Sequence, residues 1–211
     1  MIIWRDILAE IDVLLVVINA TIFILSLAGN GKAFKLFTWY LILMSLVQVT
    51  SSILAEATDN NLFMSNVYLL IQFIVLTLFY KELLHKKILI YIGALVVLFL
   101  GYQYISDPGL FLKYNPIDIA LTQGLIAIYA LLYFYISLNR KKAKFLIINV
   151  GVFVYLVGST LIFASGNLVF NMELISKDNL ILLLILNCIF YIVYQLMVFI
   201  DWYKNFRIPL K

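Results

Sequence analysis

Residues 47–66 read VQVTSSILAEATDNNLFMSN: the end of one apolar helix, a short polar turn and the start of the next. Gln48, Ser52 and Glu56 recur at i, i+4 and i+8, the spacing that lines one face of an α-helix. Upstream of this stripe, residues 36–55 carry no charge, and downstream none appears from 60 to 80. Two apolar segments of that length joined by a tight turn make a helical hairpin that crosses hydrocarbon, because about 20 apolar residues span about 30 Å.

The rest of the chain repeats the pattern. Of 211 residues, 65% are hydrophobic and 12% charged, with mean hydropathy +1.07. A soluble domain carries about 25% charged residues, so this chain has too little polar surface to stay dissolved. Seven apolar segments are expected as membrane helices, at about 7–28, 34–57, 66–84, 88–105, 117–138, 145–165 and 180–200. The connections are too short for a second domain. The fold class is therefore all-α: a single seven-helix transmembrane domain over residues 1–211.

Charge sets the expected orientation. Twelve of the fifteen basic residues follow helices 1, 3, 5 and 7: Lys32, Lys35, Lys81, Lys86, Lys87, Arg140, Lys141, Lys142, Lys144, Lys204, Arg207 and Lys211. Only Arg5, Lys113 and Lys177 fall on the other side, where most of the acids gather. The positive-inside rule then puts the N-terminus outside and the C-terminus in the cytoplasm. Ser26-Leu27-Ala28 resembles a signal-cleavage site, but the acidic segment before helix 1 lacks the positive charge of a secretory signal. Helices 3 and 5 both end in Phe-Tyr followed by basic residues. That ending hints at a repeat of helices 1–3 in 5–7 around a linker helix; an aromatic belt with basic flanks explains it more simply.

Polar side chains inside the apolar segments mark the candidate site. Asp12, Gln48, Ser52, Glu56, Asn66, Gln72, Gln123, Ser159, Asn187 and Tyr191 are all expected in the outer half, on six of the seven helices. Helix 4 has no polar residue deeper than its ends except Tyr91. An acid at mid-helix costs about 2.5–3.5 kcal/mol on insertion scales, so such groups face a bundle interior or water. Two readings stand: an extracytoplasmic ligand pocket, or interhelical hydrogen bonds each worth about 0.6–2 kcal/mol. Within the pocket reading Glu56 is the focal residue, a proton-sensitive group if desolvated. Gly151 and Gly158, seven apart on helix 6, read as a close-packing seam. Trp4, Trp39 and Trp202 read as interfacial anchors. At the inner face Lys86 and Lys87, with Arg140, Lys141 and Lys142, form patches suited to anionic lipid or to a cytoplasmic partner.

Several chemistries lack their residues. Helix 7 has no lysine for a retinal Schiff base, and His85 is the only histidine, so neither H-E-x-x-H nor a multi-histidine zinc site can form. No cofactor or metal is implied. The aspartyl-protease motif Gly-x-Gly-Asp and the Pro-Gln turns of small sugar transporters are missing.

The stretches NVYLLIQFIVLTLFYKELL (66–84), FLIINVGVFVYLVGSTLIFASGN (145–167) and LILNCIFYIVYQ (184–195) resemble uncharacterised bacterial seven-helix membrane modules, some of which precede sensor histidine kinases. The resemblance implies a sensory membrane module; the expected setting is a bacterial inner (cytoplasmic) membrane, and on this reading the protein is not expected to be an enzyme. No kinase segment follows Trp202, so a separate signalling protein would carry the output. The function expected is a sensor or receptor-like protein that binds a small or lipidic ligand from the extracytoplasmic side. A small-solute transporter or permease subunit is the alternative. A lipid-modifying enzyme using a lone carboxylate, Glu56 or Asp118, is a third reading. Expected partners are the lipid bilayer, a signalling protein and a second copy of the chain, with no nucleic acid.

Overall fold

The computed structural model describes residues 2–57, 61–112, 115–139, 143–164 and 177–207, less the side chains of Ile2, Glu56, Leu62, Ala164 and Lys177. Seven α-helices carry almost all of them: α1 (Ile2–Leu25), α2 (Lys32–Ala57), α3 (Leu62–Leu84), α4 (Ile88–Ser106), α5 (Pro116–Ser137), α6 (Leu146–Ala164) and α7 (Lys177–Asn205). A 3₁₀ helix, Pro108–Leu112, follows α4, and no strand occurs among the described residues. Each α-helix is long and apolar enough to cross a bilayer. Even the shortest, at 19 residues, spans about 28 Å at 1.5 Å per residue. The chain is an integral membrane protein with an all-α seven-helix fold.

The boundaries differ from expectation at both ends. α1 begins at Ile2 rather than 7, its first turns carrying the Arg5–Asp6 ion pair at 2.6 Å. α7 runs from Lys177 to Asn205 rather than over 180–200. Asp201, expected in a tail beyond the membrane, is instead fully buried in α7. Its Oδ2 accepts from Ile148 N at 3.0 Å, and its Oδ1 accepts from Asn205 Nδ2. A carboxylate of α7 thereby satisfies one of the free amides that open α6, where the helix dipole also favours negative charge.

Six helices close a ring in the order α1, α2, α3, α5, α6, α7, with α7 returning against α1. α4 stands outside, packed mainly on α3. Its lack of interior polar residues explains the position. Leu95, Leu98, Tyr102 and Ile105 point outward, and a helix with no polar group to satisfy loses nothing by facing lipid. Gly93 lets it approach, since a Cβ there would lie 2.9 Å from Thr77 Cγ2 of α3. The Gly151 and Gly158 seam does bring α6 onto α7, with virtual Cβ atoms 3.0 Å from Tyr194 and 2.6 Å from Phe190.

The two ends of the ring interior differ in chemistry. Toward the basic loops, six phenylalanines form a closed circuit: Phe23, Phe34, Phe206, Phe145, Phe79 and Phe37, with successive ring centroids 4.6–5.6 Å apart. All six are buried. Aromatic pairs at such distances each add about 0.5–1.5 kcal/mol beyond area burial. Farther up the ring the residues turn amphipathic: Tyr40, Tyr155, Tyr191 and Tyr194 are buried and Tyr68 partly so.

At the far end a polar knot holds the α4–α5 connection. Asn115 Oδ1 caps Ile117 N at 3.1 Å, and Pro116 opens the helix without needing an amide partner. Asp118 accepts from Asn115 Nδ2 at 2.8 Å and from the Tyr104 hydroxyl. Both carboxylate oxygens are therefore engaged in fixing α4 and the loop to α5.

Candidate functional site

A cavity of about 230 Å³ opens where α1, α2, α3, α6 and α7 meet. Asp12, Gln48, Ser52, Asn187 and Tyr191 line it, together with Ala9, Val13, Ser51, Tyr68 and Tyr155. Five of the ten expected residues thus converge on one space. Helical spacing is the cause: Gln48 and Ser52 share one face of α2, Asn187, Tyr191 and Gln195 recur at every fourth residue of α7, and the two faces are turned toward each other. Gln48 Nε2 donates to the Tyr191 hydroxyl at 2.7 Å across the ring, and Ser52 Oγ donates to the Gln48 carbonyl at 3.1 Å.

Asp12 and Asn19, seven residues apart on one face of α1, meet α7 in the same register. Asp12 lies beside Cys188. Two turns farther along, Asn19 Nδ2 donates to both the Gln195 carbonyl at 2.9 Å and its Oε1 at 2.8 Å. Asn19 and Gln195 are fully withdrawn from solvent, at 1% and 0% exposure, so this pair seals α1 to α7 directly beneath the cavity.

Tyrosines form the floor. The Tyr68 and Tyr155 hydroxyls are 3.4 Å apart, and Gln72 Nε2 donates to Tyr68 at 3.1 Å and to Tyr40 at 3.3 Å. The Tyr155 ring meets Tyr191 edge-on at 5.1 Å and stacks on Tyr194 at 5.7 Å. Gln72 therefore supports the floor from the second layer rather than lining the cavity.

Three expected residues lie elsewhere. Asn66 is buried, its Nδ2 donating to the Phe111 carbonyl at 2.8 Å, which ties α3 to the 3₁₀ helix. Gln123 Oε1 accepts from Thr160 Oγ at 3.2 Å, joining α5 to α6. Ser159 is buried against Tyr155 of its own helix. Asn66 and Gln123 thus bond across elements, whereas Ser159 bonds within its own helix. Hydrogen bonding is obligatory where no water can replace it. The side chain of Glu56 lies outside the described residues, as do Arg140, Lys141 and Lys142. Lys86 and Lys87 are exposed in the turn between α3 and α4.

Tyr40, Tyr194 and Ser51 were not among the expected site residues. Tyr40 could have been found by extending the α2 stripe downward, since 40, 44, 48 and 52 share one face. Tyr194 gives no such signal, because a tyrosine in an apolar helix is equally compatible with the lipid face.

Three acceptor oxygens at the cavity are buried with no hydrogen-bond donor in reach: Asp12 Oδ1, Gln48 Oε1 and Asn187 Oδ1. The lining also carries hydroxyl and amide donors, but each buried unpaired atom at the cavity is an acceptor. Among the described residues, no lysine, arginine or histidine lines it. Three other spaces among the described residues are different in kind. One groove between α3 and α4, of about 440 Å³, and another between α5 and α6, of about 270 Å³, are lined almost wholly by apolar groups. A space of about 440 Å³ at the basic end lies among Lys32, Glu82, His85 and Lys144, on the side of the phenylalanine circuit away from the cavity. Lys32 and Lys81 both pair with Glu82 there, at 3.4 and 3.3 Å.

No protein-family model, curated protein or solved structure matches the chain.

Proposed function

We propose that this integral membrane protein is receptor-like: it holds a small or lipidic ligand in the Asp12 cavity and signals occupancy to a separate partner at its basic face. The observation that carries the reading is the convergence of polar side chains from three separate helices on one cavity, with three buried acceptors left unpaired. Each such acceptor costs about 1–3 kcal/mol, an expense that a bound ligand offsets. Positive-inside topology makes the cavity accessible from the extracytoplasmic side. The expected setting is a bacterial cytoplasmic membrane.

The phenylalanine circuit favours sensing over passage. It closes the ring between the cavity and the basic loops. α7 runs unbroken past it. From Tyr191 at the cavity to Trp202 is eleven residues, about 16 Å of rigid helix. Trp202 Nε1 donates to Ser26 Oγ of α1 at 2.8 Å, and Phe206 packs on Phe34 of α2. A shift of α7 at the cavity is thus delivered to the loops before α2 and α6.

Native mass spectrometry of the protein extracted in mild detergent tests this. The expected result is a retained small molecule that the Tyr191→Phe, Gln48→Leu double variant loses. Proteoliposomes are expected to show no counterflow of that molecule. Counterflow that depends on the protein would replace the receptor reading with transport.

A further inference from the structure

We infer that the Asp12 cavity is a site for a small organic ammonium ion, a primary or methylated amine; this rests on the cavity being the ligand site. The argument is one of matching donors to acceptors. Asp12 contributes a carboxylate, and Oδ1 of Asp12, Oε1 of Gln48 and Oδ1 of Asn187 are buried with no donor in reach. Among the described residues the donor placed beside the carboxylate is the weak one of the Cys188 thiol. Arg5, two turns earlier on α1, is engaged by Asp6 at 2.6 Å. An anionic ligand would face a carboxylate and unpaired oxygens with no cation to hold it. A neutral hydroxyl has one proton to give. An alkylammonium has up to three N–H donors and a positive charge that offsets Asp12.

The walls suit the same guest. Tyr68, Tyr155 and Tyr191 bring aromatic surface to the cavity, with the Tyr155 and Tyr191 rings edge-to-face at 5.1 Å. Aromatic faces attract cations, most strongly where the site is desolvated, and they recognise methylated ammonium groups in particular. Size is compatible: an engineered cavity of about 150 Å³ takes benzene, and this one is about 230 Å³. A bare alkali ion would leave most of that space unfilled and would make no use of the rings.

The test uses ligands of matched shape and different charge. Binding of 2-phenylethylamine, 2-phenylethanol and phenylacetate, with choline as a second cation, is measured by titration calorimetry on the full chain in lipid nanodiscs. The expected result is that at least one of the two cations binds, and more tightly than the alcohol or the carboxylate. Asp12→Asn, nearly the same shape, is expected to weaken cation binding about tenfold or more, as loss of a charge-assisted pair does. Asn187→Leu removes a buried unpaired acceptor. It is therefore expected to keep or raise the unfolding midpoint while weakening the amine, which separates binding from folding if Asp12→Asn proves poorly stable. Tighter binding of the alcohol or phenylacetate overturns the ammonium inference but leaves the cavity as a ligand site. Cation binding unchanged in both variants also overturns the inference. Binding of none of the four overturns both the inference and the ligand-site reading beneath it.

Discussion

Asp201 shows what a single carboxylate does in an apolar bundle. It has no exposure, yet it accepts from the α6 backbone at Ile148 and from Asn205. Asp201→Ala leaves those donors unpaired and is expected to destabilise the fold by about 1–3 kcal/mol, read as a lower unfolding midpoint in an SDS titration. Asp201→Asn keeps one acceptor for Ile148 and is expected to lose less. Asn19 presents the same logic between α1 and α7. Asn19→Ala strands the Gln195 side chain beneath the cavity and is expected to cost about 1–2 kcal/mol. Polar residues were easy to find in so apolar a chain, but their roles were not. Asp118 and Asp12 look alike as sequence. In the fold, Asp118 is engaged on both oxygens while Asp12 keeps one acceptor unpaired in a cavity. Which neighbour supplies a donor depends on the helix packed opposite, and no local pattern encodes that.

At the scale of elements, the glycines separate contact from lipid. A Cβ on Gly158 would meet the Phe190 ring at 2.6 Å, whereas one on Gly101 of α4 meets nothing within 4 Å. Gly158→Ala is expected to destabilise by about 1–3 kcal/mol through overpacking of α6 on α7. Gly101→Ala is expected to be neutral or to stabilise by up to about 1 kcal/mol through helix propensity. Paired unfolding midpoints check the contrast. Seven helices were legible because hydrocarbon imposes a minimum length on every span. The terminal turns of α1 and α7 were not, since charged residues there read as ends, although Asp201 is buried within α7 and the Arg5–Asp6 pair sits at the surface of α1. The seam on α6 was legible as a contact face, but its partner could only come from the packing.

Across the whole molecule, a ring of six helices with α4 outside joins a polar cavity to a basic face through a phenylalanine closure. Phe79 touches Phe37, Tyr80 and Phe145 within that closure. Phe79→Ala is expected to cost about 3–5 kcal/mol in packing, seen as a lower unfolding midpoint, and to admit a small thiol reagent to an otherwise buried Met44→Cys probe. Topology is tested separately: reporter fusions after Lys87, Lys142 and Lys211 are expected to report cytoplasm, and an external signal from any of them would invert the assigned faces. The composition and the apolar spacing alone determined that this chain is an all-α membrane protein of seven spans. That follows because a bilayer constrains length and polarity segment by segment, which a linear pattern can satisfy on its own. Only the tertiary structure decided that α4 is peripheral, that half of the expected polar residues share a cavity while Asn66 and Gln123 merely pin helices, and that phenylalanines close the basic end. Those outcomes depend on the rotation of each helix about its axis and on which helix it meets. In a uniformly apolar chain, packing across the ring sets that rotation; the moment of any one segment does not.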